Sequence, residues 1–292
     1  MKNADGGVMA ISKQELRALR HPSESGRFIL TMFVLIPLGI GVAALTIATF
    51  GAILLAAPFI LFGLWFSLRI YVASCMNNMV QVTNTSFPEA HEAIQEAKTL
   101  FGYQKPVEAY VYQDGSYNAA IIPLLNTKVL LFNSELMRAE NGRDELRFIA
   151  GWFVGALASK HFRFGWLEAF INGVEKLMIF NILLFPYERA TKLSGDRLGL
   201  YMLGGDIQTA TMAMMKLVVG TDIAERANVK SFVAQGLKYN GSFFSWIARA
   251  MSRYPHNTTR VTQLIMFAKE KYPDRSRGFI DHWKDQPDPE LA

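Results

Sequence analysis

The chain has 292 residues, 51% hydrophobic and 19% charged, and its 30 basic and 25 acidic residues leave a formal charge of +5. That is apolar and charge-poor against the roughly 25% charged residues of ordinary soluble domains, which excludes a disordered or fibrous chain, and the small positive balance calls for no nucleic acid. A single cysteine, Cys75, excludes an internal disulfide and any multi-cysteine zinc or iron–sulfur site, and argues against redox chemistry.

Residues 28–68 carry no charged side chain. As one straight helix this stretch would measure about 62 Å, twice the roughly 30 Å hydrocarbon core of a bilayer, so it predicts two spanning helices joined by a turn near 46–51. Pro37 and Pro58 fall inside the two helices and predict a kink in each. A cleaved secretory signal has a much shorter apolar region and a small-residue cleavage site, and neither fits here. A hairpin returns both flanks to one side, and Lys13, Arg17, Arg20 and Arg27 before it with Arg69 after it place that side in the cytoplasm. The hairpin holds no ionisable group, which argues against a transporter. The expected organisation is a basic N-terminal segment (1–27), a transmembrane hairpin (28–69), a cytoplasmic domain (70–284) and a polar tail (285–292).

Past the hairpin the sequence predicts a polar connector through Asn84 and a helix over 88–100. β-branched and aromatic runs predict strands over 107–113 and 128–132, with SYNAAII (116–122) as a third, edge strand. Apolar periodicity then predicts helices over 143–161, 167–184, 188–203, 206–219, 223–237, 243–252 and 258–271. The fold class is α+β, helix-dominated with a small sheet. The apolar segment 164–186 is interrupted by Glu168, Glu175 and Lys176, and its uncharged part is too short to cross a bilayer, so a core or interfacial helix is expected there.

The five histidines (21, 91, 161, 256 and 282) include no pair three or four residues apart, so no helix face carries a metal-binding pair. No G-x-S-x-G elbow, phosphate-binding G-x-x-x-x-G-K-[ST] loop or G-x-G-x-x-G occurs, and Cys75 has no neighbouring base. Taken alone, these residues define no active site.

Four elements in order nevertheless resemble the HtpX-type membrane zinc metallopeptidases, the gluzincin-like family that also holds the CAAX prenyl proteases. YVYQDGSYNAA followed by KVLLFNSELM is similar to that family's strand, N-A-[FY]-A element and strand-to-helix turn. ELRFIAGWFVGALASKH (145–161) is similar to its H-E-x-x-H helix, with Glu145, Leu146, Phe148, Gly151, Gly155 and His161 in register. YERATKLSGDRLGL (187–200) resembles the element that supplies the third zinc ligand, and PHNTTRVTQL (255–264) the final HPxxxxR element, with His and Pro reversed. The resemblance covers about the last two thirds of the chain. It implies a metallopeptidase-like fold behind a membrane hairpin, in a bacterial inner membrane with the globular domain cytoplasmic.

The departures fall at the catalytic positions. In this register the ligand histidines become Trp152 and Ala156, the catalytic glutamate becomes Phe153, and the third-ligand glutamate becomes Lys192. An indole, a phenyl ring and a methyl offer no ligand, and an ammonium repels a divalent cation, so neither a metal-activated water nor its base is supplied there. The expectation is no cofactor and no catalytic residue, with Phe148, Trp152, Phe153 and Ala156 packing the core and Lys192 occupying the lost metal's space, paired with Asp196. His161 is expected as a helix C-cap and Glu188 with Arg189 as a solvated charge pair. A zinc enzyme rebuilt from displaced ligands Glu188, His161 and His256 is the alternative.

These readings point to a catalytically inactive pseudopeptidase, a binding, scaffold or regulatory subunit in a membrane complex. Its expected partners are membrane lipid and another membrane protein or a second copy, with no nucleic acid. The expected peptide-accepting edge strand contains Tyr117, Asn118, Ala119 and Ala120. A purely structural role, with the hairpin and segment 164–184 as assembly surfaces, is the third reading; Trp65, Trp166 and Trp246 suit buried contacts or an interface belt.

Overall fold

A computed structural model describes residues 10–49, 51–113, 118–123, 128–138, 142–164, 178–285 and 288–289. The first part (167–177) of the helix expected over 167–184, Trp166, Tyr117 and most of the polar tail lie outside the described residues.

A short helix, α1 (Lys13–Leu19), precedes two long ones, α2 (Ser23–Ala48) and α3 (Ala52–Asn78). Both are long and apolar enough to cross a membrane. Phe33, Ile47, Leu55 and Phe59 on them are 71–79% exposed, so these helices do not serve as the core of a globular unit. Pro37 and Pro58 sit inside continuous helices. The turn falls where the sequence places it: Gly51 adopts φ +79°, a left-handed conformation that glycine alone takes without Cβ strain, and its N–H donates to the Thr46 carbonyl. The helices are longer than the uncharged stretch. They take in Glu24 and Arg27 at one end and Arg69 at the other, so α3 replaces most of the expected polar connector.

After α3 come β1 (Val80–Gln81), α4 (Pro88–Leu100), β2 (Val107–Tyr112), β3 (Ala119–Pro123) and β4 (Lys128–Asn133). The sheet order is β1-β2-β4-β3, with β2 and β4 parallel and the outer pairs antiparallel, so β3 is an edge strand as the sequence predicts. Alternation along β2 and β4 buries both faces. Ala109, Val111, Leu130 and Phe132 join the main core, while Tyr110, Val129 and Leu131 cluster with Val72 of α3. The second face is therefore closed by the continuation of the apolar hairpin.

The rest is helical: α5 (Arg143–Ala158), α6 (Met178–Met202), α7 (Ile207–Val219), α8 (Thr221–Ala224), α9 (Val229–Asn240), α10 (Phe243–Met251), α11 (Asn257–Lys271) and α12 (Pro273–Asp285). Three boundaries differ from expectation for local reasons. α6 runs through Pro186, which removes one backbone donor without ending a 25-residue helix, so two predicted helices are one. The predicted helix over 223–237 is two, because the Asn228 side chain accepts from the Ser231 N–H and starts α9 afresh. The sequence reading omitted α1, started by Ser12 accepting from the Glu15 N–H, and α12, started by Pro273.

The core centres on the crossing of α5 and α6, where each helix meets the other through glycines. A Cβ at Gly151 would stand 2.7 Å from Met202 Cβ, one at Gly155 2.9 Å from Leu198 Cβ, and one at Gly199 2.8 Å from Phe148 Cδ2. At Gly195 it would overlap the Trp152 indole. Gly195→Ala should therefore lower stability by about 1–3 kcal/mol through overpacking. Gly278→Ala, in α12 with nothing within 4 Å of the added carbon, should be neutral or stabilising. Unfolding of the full chain in detergent checks both, and equal effects would contradict the close crossing.

Candidate functional site

The positions at which the sequence resemblance places catalysis lie along this crossing. Phe153 and Ala156 are buried in the core, and the Trp152 and Phe153 rings meet edge to face at 4.6 Å between centroids. Trp152 lies over Gly195, and its Nε1–H donates to Asp196 Oδ1 at 2.9 Å. Asp196 is 1% exposed, and Arg260 of α11 grips both its oxygens, Nη2 to Oδ1 at 2.6 Å and Nε to Oδ2 at 3.0 Å. Burial alone would push the Arg260 guanidinium down; the Asp196 carboxylate reverses this and holds it above its usual range. One carboxylate thus ties α5, α6 and α11 together.

That arrangement corrects the expected Lys192–Asp196 pair. Both oxygens of Asp196 are engaged by Arg260, and no ion pair joins Lys192 to Asp196 among the described residues. Lys192 Nζ instead faces three rings, at 4.8 Å from the Tyr254 centroid, 5.4 Å from Trp152 and 5.8 Å from Phe162. The ammonium is held by ring quadrupoles where a carboxylate partner was expected.

Of the candidate displaced ligands, Glu188 and His161 are engaged elsewhere. Glu188 Oε2 accepts from Arg253 Nε at 2.6 Å, and Arg189 donates to the Ala250 and Ser252 carbonyls, so the expected solvated Glu188–Arg189 pair is not formed. Burial, then the charge of Arg27, pushes Arg189 down to about 10. His256 stands at the start of α11, its imidazole pushed below its ordinary value by burial and by Arg249 and Arg189. Among the described residues no three of His, Cys, Asp and Glu gather to hold a metal ion, so Glu188, His161 and His256 are not brought together.

His161 is not the C-cap of α5, a position that Ser159 takes. It is buried, and its Nε2 bonds Glu24 Oε2 at 3.1 Å. Ser194 Oγ donates to the same oxygen at 2.6 Å and accepts from the His21 backbone N–H at 2.9 Å. Arg20 reaches Glu24 Oε1 at 3.4 Å and the Ser159 carbonyl at 3.0 Å. The first turn of α2 is thereby plugged into the end of α5 and the middle of α6. Sequence reasoning missed this cluster, and the only local signal was the four-residue spacing of Arg20 and Glu24. It also missed the buried pair of Lys216 with Glu145, at 2.7 and 2.8 Å.

The edge strand meets expectation in position. Asn118 is exposed, and its carbonyl accepts from the Asn133 N–H of β4. By strand alternation the next N–H, that of Ala119, faces away from β4, where Asn118 Oδ1 accepts it at 2.8 Å. The open edge is thus blunted by its own side chain. Ala120 pairs with Leu131.

No family model, curated protein or solved structure matches the chain. Its fold is a helix-dominated α+β arrangement with a four-stranded mixed sheet behind two long apolar helices.

Burial lowers the His161 pKa from its ordinary 6.5, outweighing the raising effect of Glu24. The imidazole is neutral, with Nε2–H toward the carboxylate and Nδ1 without a partner among the described residues. As pH falls below about 6.5 the unfolded chain takes up this proton before the folded one, so the stability tied to a neutral His161 is complete above that pH and lost below it. His161→Gln should therefore flatten the fall in melting temperature between about pH 6.5 and pH 5. An unchanged slope would contradict the assignment.

Proposed function

We propose that the protein is a membrane-anchored, catalytically inactive metallopeptidase-like subunit that binds a partner. The observation that carries this reading is the Trp152–Asp196–Arg260 junction. Its members come from three of the segments that resemble the membrane zinc metallopeptidases, 145–161, 187–200 and 255–264, and these pack together as one such domain requires. The former catalytic positions are filled by packed rings, a methyl and a caged ammonium, which suits a retained scaffold better than a hydrolase.

Membrane anchorage is supported by the exposure of α2 and α3 and by a second apolar surface near their base. Phe243, Phe244 and Trp246 of α10 are 56–78% exposed. The carboxyl end of α10 is bonded to Arg189, while Arg27, at the start of the hairpin, reaches the Pro186 carbonyl at 3.5 Å. An aromatic face there suits the lipid interface, with the globular domain cytoplasmic by the basic flanks of the hairpin.

Partner capture falls to β3, whose outward backbone can pair with an extended segment of another membrane protein or of a second copy once Asn118 releases the Ala119 N–H. Ala119→Pro removes that outward donor and leaves the bonds to β4 in place. In cross-linked native membranes the wild-type chain should carry a discrete partner that Ala119→Pro loses, while both remain in the membrane fraction after a high-salt wash. Unchanged capture would sink the strand-addition role, and release by salt would sink anchorage.

A further inference from the structure

α1, the turn after α4, the start of β4 and the end of α5 line a cleft of about 690 Å³. Lys13, Lys105, Lys128 and Lys160 line it, and no aspartate or glutamate does among the described residues. Its remaining wall is largely apolar and includes Tyr103 and Phe162. Lys13, Lys105 and Lys160 make no ion pair among the described residues. Burial, then the charge of Lys105, pushes Lys128 below the usual lysine range.

Lysines gathered from separate elements around a partly apolar cleft make a positive field that attracts an anion. A helix C-terminus accounts for one lysine. Lys160 follows the last turn of α5 at φ +62°, a left-handed position where glycine or asparagine is the ordinary residue. It does not account for Lys13 on α1 or Lys105 in the α4–β2 turn. The walls are also tied to the hairpin. Lys160 precedes His161, which bonds Glu24 in the first turn of α2, and Lys128 precedes Val129, which clusters with Val72 of α3 just past Arg69.

We propose that this cleft binds an amphiphilic phosphate ester, its phosphate among the lysines and its apolar part against Tyr103 and Phe162. The same chemistry is offered by the headgroup of an acidic phospholipid and by a soluble phosphate ester. The lipid source rests on the membrane-anchored reading, whereas the anion site does not.

The test is calorimetric titration of the full-length chain in an uncharged detergent with short-chain phosphatidylglycerol, the matching phosphatidylcholine, and glycerol 3-phosphate. Phosphatidylglycerol should bind saturably and phosphatidylcholine at least about tenfold more weakly. Lys13→Gln with Lys105→Gln, both exposed positions, should cost about tenfold or more in affinity, and Lys269→Gln with Lys271→Gln on α11 should cost nothing. Should the double variant melt early, the single variants Lys105→Gln and Lys160→Asn carry the same expectation, since asparagine tolerates the left-handed backbone. Glycerol 3-phosphate binding as tightly, with the same dependence on the lysines, would keep the site and assign it a soluble ligand, whether or not the chain is membrane-bound. No saturable binding of either anion, or affinity indifferent to Lys13, Lys105 and Lys160, would overturn the proposal.

Discussion

The close crossing of α5 and α6 is the constraint on which the remainder of the molecule depends. Gly151 and Gly155 on one helix and Gly195 and Gly199 on the other leave no room for a Cβ at any of the four positions. Only at that separation does the Trp152 indole lie across Gly195 and reach Asp196 with its N–H. Asp196 in turn sets Arg260, and with it α11, while Trp152 forms one wall of the box around Lys192. Removing one member of the buried Asp196–Arg260 pair would strand the other charge, at a cost of about 3–5 kcal/mol. Large residues on one helix seated over glycines on the other bind three segments of the chain into one core.

The same region fastens the apolar hairpin to the domain. Glu24 in the first turn of α2 is satisfied by Ser194 of α6, His161 after α5 and Arg20. On the far side, Val72 of α3 closes the second face of the sheet. Both ends of the hairpin therefore continue into the packed domain.

The hairpin and its turn, the helix over 88–100, the three main strands and the edge position of β3 were legible because each rests on a local pattern: an uncharged run, a polar cluster before a helix, or β-branched alternation. The α5–α6 crossing was legible only in part. Its glycines were visible in the sequence, but nothing local states that Gly195 lies under Trp152. The Lys192–Asp196 expectation failed because helical spacing brings two residues to one face without deciding who else competes for the carboxylate. Arg260, 64 residues farther on, wins with a bidentate geometry that lysine cannot offer. His161 and Glu24, 137 residues apart, were invisible for the same reason. Asp196 and Arg260 were within reach, since each is a member of a segment quoted for the resemblance, and a search for charge complementarity between those segments would have paired them.

In the proposed reading the frame keeps the packing of a metallopeptidase-like domain and holds apolar contacts where catalysis would lie, with an apolar hairpin on one side and a blunted edge strand on the other. On that reading Trp152, Phe153, Ala156 and Lys192 leave no zinc site. The most direct measurement is the metal content, per polypeptide, of the full-length chain purified in detergent without a polyhistidine tag from cells supplied with zinc. Zinc should be far below one equivalent. About one zinc per chain, retained through washing with a weak chelator, would contradict it and turn attention to a ligand set outside the four replaced positions.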